Sequence, residues 1–250
     1  MQLRDRIVYV SHIATNCYGF RRTVEYLKKY PEVDVWTAQQ YTSTPLYRPK
    51  SVPELDWEYV KNYGPIFGEP LLRAYTEADK EGYGAAVCPS WGDGGVDEAQ
   101  KTLKMPVIGM SKLAFTKAAH LYGRFSILHN HLPEVAPRNE QRIKDLGFWE
   151  NYVSTEMFEA DVYQWIDQGR QPDFEQLIKN VLPLVKRSVK KGARVMLFAC
   201  ASPDLSDLAG RLSKVTLEEF GIPAQGSIDT AIEFAQKAIR EAKIKRVLAE

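Results

Sequence analysis

The sequence predicts an α/β protein made of two lobes, each a mainly parallel sheet flanked by helices. Three observations predict it. Short apolar runs alternate with segments of helical spacing along the whole chain. The alternation comes as two successive series, divided near Gly123. The two series also share a local pattern. Ala86-Val87-Cys88-Pro89-Ser90 leads through a turn and a helix to Met105-Pro106-Val107-Ile108-Gly109, and Phe198-Ala199-Cys200-Ala201-Ser202 leads through a helix to Ile222-Pro223-Ala224-Gln225-Gly226. Each is an apolar strand, Cys-x-Ser, a helix, then an apolar residue and Pro-x-x-Gly, the pattern of a duplicated half-domain.

In chain order, Ile7-Val8-Tyr9-Val10 is the first strand. The turn Ser11-His12-Ile13-Ala14-Thr15-Asn16-Cys17 follows, dense in small polar groups. Phe20, Val24 and Leu27 have the spacing of a helix over 20–30, ended by Pro31. Residues 33–37 alternate as a second strand. Residues 39–56, rich in Thr, Ser, Pro and Tyr, make a long loop, either a functional rim or a surface insertion. Residues 57–80 have helical spacing, with interruptions expected near Gly64-Pro65 and Glu69-Pro70. Residues 84–88 are a third strand with no polar alternation, which suits burial on both faces. A helix over 96–103 and a fourth strand over 106–110 complete the first series.

The second begins after a helix over 111–122, stopped by Gly123. Residues 124–128 form a strand, 138–146 a helix, and 151–155 a strand. Leu177, Ile178, Val181 and Val185 space a helix over 174–191, with a kink expected at Pro183. Residues 195–199 are an unbroken apolar strand running into Cys200, and 204–220 a helix. Ser227 caps a last helix over 228–242, which follows a crossover and is expected to return to the first lobe. Residues 1–112 with 222–250 are thus assigned to the first lobe and 113–221 to the second.

Composition narrows the function. The chain has 250 residues, 44% hydrophobic and 26% charged, with a formal net charge of +1. That balance gives no electrostatic footprint for nucleic acid or an anionic membrane. No apolar run approaches a membrane span, and the N-terminus enters its first strand without a signal-peptide apolar region. Three cysteines, Cys17, Cys88 and Cys200, are too few and too scattered for a disulfide framework or a metal knuckle. A cytoplasmic protein acting on a small molecule, with homo-oligomeric assembly, is the expectation.

Cys88 carries the chemistry. A thiol at a strand end, just before a helix, is expected near unpaired N–H groups and the positive end of a helix dipole, which would make it acidic. Cys200 is its counterpart, and ligands of doubly wound sheets bind beyond the carboxyl ends of strands. Two thiols on opposite faces of a substrate form a two-base system. One takes a proton from a carbon beside a carbonyl, the other returns a proton to the opposite face, and backbone N–H groups steady the oxyanion. No metal or organic cofactor is required. Against this stands the reading of each cysteine as a small buried apolar residue. Packing suits Cys17 better than chemistry. His129 and His131 follow a strand, at a cleft or in a surface turn. Trp91 is an aromatic wall or a packing residue, and Asp93 and Asp97 read as helix caps.

The chain resembles the aspartate/glutamate/hydantoin racemase superfamily, nearest to its hydantoin racemase branch. The likeness rests on Val87-Cys88 with Gly92-Asp93-Gly94-Gly95-Val96-Asp97, on Met105-Pro106-Val107-Ile108-Gly109, on Leu121-Tyr122-Gly123-Arg124-Phe125-Ser126-Ile127-Leu128, and on Ala199-Cys200-Ala201-Ser202 through Gly221-Ile222-Pro223. It implies two pseudo-symmetric Rossmann-like lobes with the active site in the cleft between them. Cys88 and Cys200 would be the catalytic acid/base pair. Substrate contacts are expected at Ser11, Asn16, Pro89, Ser90, Trp91, Gly92, His129, Ala201 and Ser202. The implied activity is a cofactor-independent racemase or epimerase acting on a hydantoin or amino-acid derivative. A decarboxylase or cis–trans isomerase of the same superfamily, or a small-acid binding protein without turnover, are the alternatives. Hydantoin racemases usually carry Gly-Asp-Pro-Gly one residue after the first cysteine. Here Pro89-Ser90-Trp91 intervenes and Gly94 replaces the proline.

Overall fold

The computed structural model describes residues 3–12, 18–42, 63–130, 135–158, 173–199 and 207–247. In chain order the elements are β1 (Ile7–Ser11), α1 (Tyr18–Leu27), β2 (Val33–Thr37), α2 (Tyr63–Glu81), β3 (Ala85–Cys88), α3 (Val96–Thr102), β4 (Val107–Gly109) and α4 (Met110–Tyr122). There follow β5 (Phe125–Asn130), α5 (Val135–Asp145), β6 (Tyr152–Phe158), α6 (Phe174–Lys190), β7 (Val195–Phe198), α7 (Leu208–Phe220), β8 (Ala224–Gln225) and α8 (Ile228–Val247). They form two compact units. One is built from Met1–Met110 and Ile228–Glu250, the other from Ser111–Trp165 and Arg170–Ser227.

The first unit holds a four-stranded sheet in the order β2-β1-β3-β4, all parallel. Its central strands, Ile-Val-Tyr-Val-Ser and Ala-Ala-Val-Cys, are buried at every residue, whereas the edge strand β2 is half-exposed throughout. Unbroken apolar runs are what a parallel strand covered on both faces requires. On one face Val8, Val10, Ala86, Cys88 and Val107 pack with Leu71, Ala74, Tyr75 and Ala78 of α2 and with Val96 and Ala99 of α3. α8 packs against β1, β3 and β4, presenting Ile228, Ala231, Ile232, Ala235 and Ile239, a helical stripe of buried residues. At the amino ends of the strands Arg6 pairs with Asp34, and Tyr83 donates its hydroxyl to Asp34 at 2.9 Å. Arg6 holds the Asp34 carboxyl below its ordinary range, with Tyr83 adding to the effect against partial burial.

The second unit repeats the plan, β6-β5-β7-β8, again all parallel. Leu128, Met196, Phe198 and Ala224 pack with Leu177, Val181 and Val185 of α6 and with Leu208 and Leu212 of α7. Phe115 of α4 stacks on Phe125 with ring centroids 5.6 Å apart. The likeness between the halves extends to single hydrogen bonds. Gly84 N–H donates to Arg6 O, and Arg194 N–H to Arg124 O, both at 2.9 Å. Ala86 N–H donates to Pro106 O at 2.9 Å, and Met196 N–H to Pro223 O at 3.0 Å. These bonds match Ala86 to Met196, so Cys88 corresponds to Phe198 in the pairing, and Cys200 comes two residues further along the chain. The sequence match of Cys88-x-Ser to Cys200-x-Ser is therefore displaced by two positions from the match of the sheets.

Three local expectations change. Ala224–Gln225 pair with β7, so the second sheet extends past residue 221. The helix expected over 57–80 is continuous from Tyr63 to Glu81 and runs through Pro70. Pro65 lies in its first turn, where an N–H has no helical partner and a proline costs little. α6 spans the helix expected over 174–191 and contains Pro183, which is exposed, as is Lys179, whose carbonyl loses its helical donor there. The long segment 39–56 opens with a short 3-10 turn, Ala38–Tyr41, capped by Thr37, whose hydroxyl accepts Gln39 N–H at 3.2 Å. From residue 43 it lies outside the described residues.

Candidate active site

Cys88 is the last residue of β3, at the carboxyl end of the first sheet, and Gly109 of β4 lies directly beside it in register. The chain then turns sharply through residues 89–95 into α3. Asp93 N–H donates to Ser90 O at 3.0 Å, Val96 N–H to Asp93 O at 3.2 Å, and Gly92 N–H to the Ser90 hydroxyl at 3.3 Å. The turn is pressed onto α2. A Cβ on Gly94 would stand 2.9 Å from Leu71, and one on Gly95, at φ +68, would stand 2.6 Å from Gly68 O. Glycine meets both demands, close backbone approach and a left-handed conformation. Gly95, not an aspartate, is the N-cap of α3; Asp93 accepts Val96 N–H on its main-chain carbonyl at that helix start.

The thiol is fully buried. Its Sγ lies 3.9 Å from Ser90 O and 4.0 Å from Gly94 O, and the Gly94 carbonyl also accepts the buried Tyr75 hydroxyl at 3.4 Å. The expected cradle of N–H groups is thus replaced at these contacts by carbonyl oxygens. The reason lies in the turn, which folds back so that its carbonyls face the strand end, ahead of a helix of only seven residues. Acceptors favour S–H over thiolate.

Asp93 is the unexpected neighbour. It is 3% exposed, and its backbone sits at φ +47. Its carboxyl lies against Gly109: a Cβ built there would be 2.6 Å from Asp93 Cγ and 2.8 Å from each oxygen. In a parallel pair, register partners direct their side chains to the same face. The carboxyl therefore fills the side-chain position next to Cys88.

Other expected residues gather at the same sheet end. Ser11 closes β1, the strand beside β3, and is 1% exposed. Ser90 and Trp91 are buried, at 3% and 8%, Pro89 is buried with them, and Gly92 is exposed. Trp91 packs inward rather than standing open. His12, one residue past β1, was not singled out from the sequence; burial pushes its imidazole down to about 4, so it is neutral at pH 7. Its adjacency to Ser11 at a strand end was the signal. In the second unit His129 is 5% exposed on β5, beside Met157 of β6. Asn16, Cys17, His131, Cys200, Ala201 and Ser202 lie outside the described residues. Among the described residues, no three His, Cys, Asp or Glu side chains converge as metal ligands would, and no helix is long and apolar enough to cross a membrane.

Comparison with known proteins bears on this arrangement. The family model described as Asp/Glu/Hydantoin racemase matches residues 35–238. A hydantoin racemase from Rhizobium meliloti is 25% identical over 166 residues, which is 66% of this chain and 64% of that protein, less than two thirds of the relative's length. Among solved structures, allantoin racemase from Klebsiella pneumoniae superposes with a TM-score of 0.71 at 16% identity, covering 95% of this chain and 88% of that one. Allantoin racemase from Pseudomonas fluorescens gives 0.67 at 16% identity, covering 95% and 92%. At such identities these two likenesses speak to the fold alone.

Proposed function

The chain belongs to the Asp/Glu/hydantoin racemase family, and we propose that it is a cofactor-independent racemase or epimerase that inverts a carbon next to a carbonyl, with Cys88 and Cys200 as its acid/base pair. The observation that carries the reading is the repeated half. Two parallel sheets share one strand order, and the third strand of each leads into a cysteine, at its last residue in one and two residues beyond in the other. The substrate class is a hydantoin or an amino-acid derivative. The relatives' names point to hydantoin and to allantoin, which carries the same ring.

In the proposed cycle a thiolate removes the proton from the activated carbon, and the electron pair moves onto the carbonyl oxygen. The opposite thiol then delivers its proton to the other face as the carbonyl reforms. Every proton taken is matched by one returned, and the thiols exchange protonation states. The oxyanion would be steadied by N–H groups of the turn after Cys200, and by those of the turn after Cys88 once that turn has opened. Ser11, Asn16, Ser90, Ser202 and His129 would supply polar contacts, and Pro89, Trp91, Gly92 and Ala201 the remaining wall. Because Cys88 is fully buried, the turn that covers it has to move aside for substrate. The proposed setting is a cytoplasmic homo-oligomer, which light scattering on the purified protein checks for assembly.

That burial is also the observation favouring a second reading, a small-acid binding protein without turnover. Incubating enantiopure 5-substituted hydantoins, allantoin, aspartate and glutamate with the protein in heavy water decides between them. Deuterium entry at the reacting carbon with loss of optical rotation is the expected result. Binding without exchange across the panel would sink the enzyme reading, and release of carbon dioxide from a malonate-type acid would redirect it to decarboxylation.

A further inference from the structure

We propose that the outer edge of the second sheet, from Trp149 to Met157, is the surface on which a second copy of this chain docks. The need for cover lies in the strand itself. β6 is an edge strand, with β5 as its only strand neighbour among the described residues. At seven residues it is the longest of the four sheet edges, against five in β2, three in β4 and two in β8. Exposed edges are ordinarily kept short or guarded by lysine or proline. Tyr-Val-Ser-Thr-Glu-Met-Phe contains neither, and its single charge, Glu156, is buried and held by Arg187 at 2.9 Å. A long edge without those guards invites another chain.

A groove of 680 Å³ runs beside that edge, with Arg124, Glu140 of α5, Trp149, Tyr152, Thr155 and Met157 among its walls. Arginine, tryptophan, tyrosine and methionine are the residues that protein interfaces gather. Trp149 opens the short 3-10 turn Trp149–Asn151 ahead of β6. Tyr152 holds its ring at 5.3 Å between centroids and Lys144 Nζ stands 4.3 Å over it, yet the residue is 41% exposed. A large ring fixed before docking loses little freedom on docking, which is the property of an anchor.

Charge selects the occupant. The charged walls of the groove are Arg124, Glu140 and Glu150, and Lys144 adds a second cation over Trp149. Among the described residues none of the four forms an ion pair. Copies related by a two-fold axis meet through the same patch, so each sign has to find its opposite on an identical surface. Two cations and two carboxylates meet that condition. A partner of one sign would be repelled there as much as attracted. The inference rests on the homo-oligomeric assembly proposed above, for which it names the surface, and not on the two-cysteine chemistry.

The test is light scattering coupled to gel filtration of the full chain over a wide concentration range. Trp149→Ala is expected to raise the dissociation constant by about 30-fold or more. Trp149→Asp, which sets a bare carboxylate against its own copy, should leave a smaller assembly at every concentration. Leu217→Ala of α7 and Phe234→Ala of α8 remove other exposed apolar side chains and should leave the mass unchanged. An oligomer that Trp149→Asp does not disturb overturns this surface and leaves the assembly standing. A wild-type chain that stays single at every concentration overturns both. Should the Trp149 variants fail to fold, hydrogen exchange on the wild type decides. Amides of residues 149–157 should exchange more slowly as concentration rises, and rates unchanged over a dilution that changes the mass overturn the proposal. Deuterium entry into substrate reports on the racemase reading separately from either measurement.

Discussion

Replacing Gly109 by alanine tests the site's packing most directly. The new Cβ would lie 2.6 Å from Asp93 Cγ and 2.8 Å from both carboxyl oxygens, where comfortable carbon contacts begin near 3.5 Å. The carboxyl must therefore retreat by roughly 1 Å. It has little freedom to do so. Asp93 is 3% exposed, its N–H and C=O are both engaged in the turn, and Gly94 and Gly95 wedge that turn against α2. Overpacking of this kind costs about 1–3 kcal/mol. Removing a glycine stiffens the unfolded chain and returns about 0.4–1 kcal/mol. The net expectation is a loss of about 1.5 kcal/mol, or a fall in Tm of about 3–6 °C for a chain of this size. Thermal unfolding followed by circular dichroism measures it, and a double-mutant cycle assigns it. In an Asp93→Gly background the same Gly109→Ala change should cost nothing, because the clashing group is gone. Undiminished stability of Gly109→Ala, or an equal cost in both backgrounds, would refute the placement of the carboxyl over Gly109.

Three further outcomes are expected. His12 is held near 4 in the folded protein against 6.5 unfolded, so between those values the unfolded chain binds the extra proton. Its contribution is complete above about pH 6.5 and declines as pH falls toward 4. The gap between those two values amounts to about 3 kcal/mol. Urea titrations of wild type and His12→Asn at pH 7 and 4.5 should show a flatter acid limb in the variant, and parallel limbs would discount the depressed imidazole. The Asp34 carboxyl is held low by Arg6 and Tyr83, so its stabilisation is present above the unfolded carboxylate range and is lost as pH falls through the lowered folded value. Asp34→Asn should cost about 1–2 kcal/mol at pH 7 and nothing in strong acid. Finally, Cys88→Ser and Cys200→Ser should each lower racemisation by roughly 10²–10⁴-fold while deuterium exchange from one enantiomer persists in each. Full activity of either variant would end the two-thiol mechanism.

Much of the fold was legible because parallel strands buried on both faces are written as apolar runs. Ile7-Val8-Tyr9-Val10, Ala85-Ala86-Val87-Cys88 and Val195-Met196-Leu197-Phe198 could hardly be anything else once turns and helices bounded them. The prolines misled where position within a helix mattered more than identity. Pro65 falls in a first turn, and the helix from Tyr63 runs on through Pro70 without the expected break. β8 was hidden because two residues are too few to show a period.

The site divides along the same line. Composition, cysteine spacing and the repeated half-pattern were sufficient to mark Cys88 as the centre of interest and to suggest two lobes of one design. They could not say that the Cys88 thiol would meet carbonyl oxygens, that Asp93 would leave the helix cap to Gly95, or that its carboxyl would fill the place of the missing side chain at Gly109. Spacing along a chain reports which face a residue takes, because helix and strand periods are local. The charge and hydrogen-bond surroundings of a buried thiol depend on which strand comes to lie beside it and how the intervening turn folds back. Residues 88, 93 and 109 acquire a common environment only when β3 and β4 pair, so that environment was decided by the tertiary structure alone.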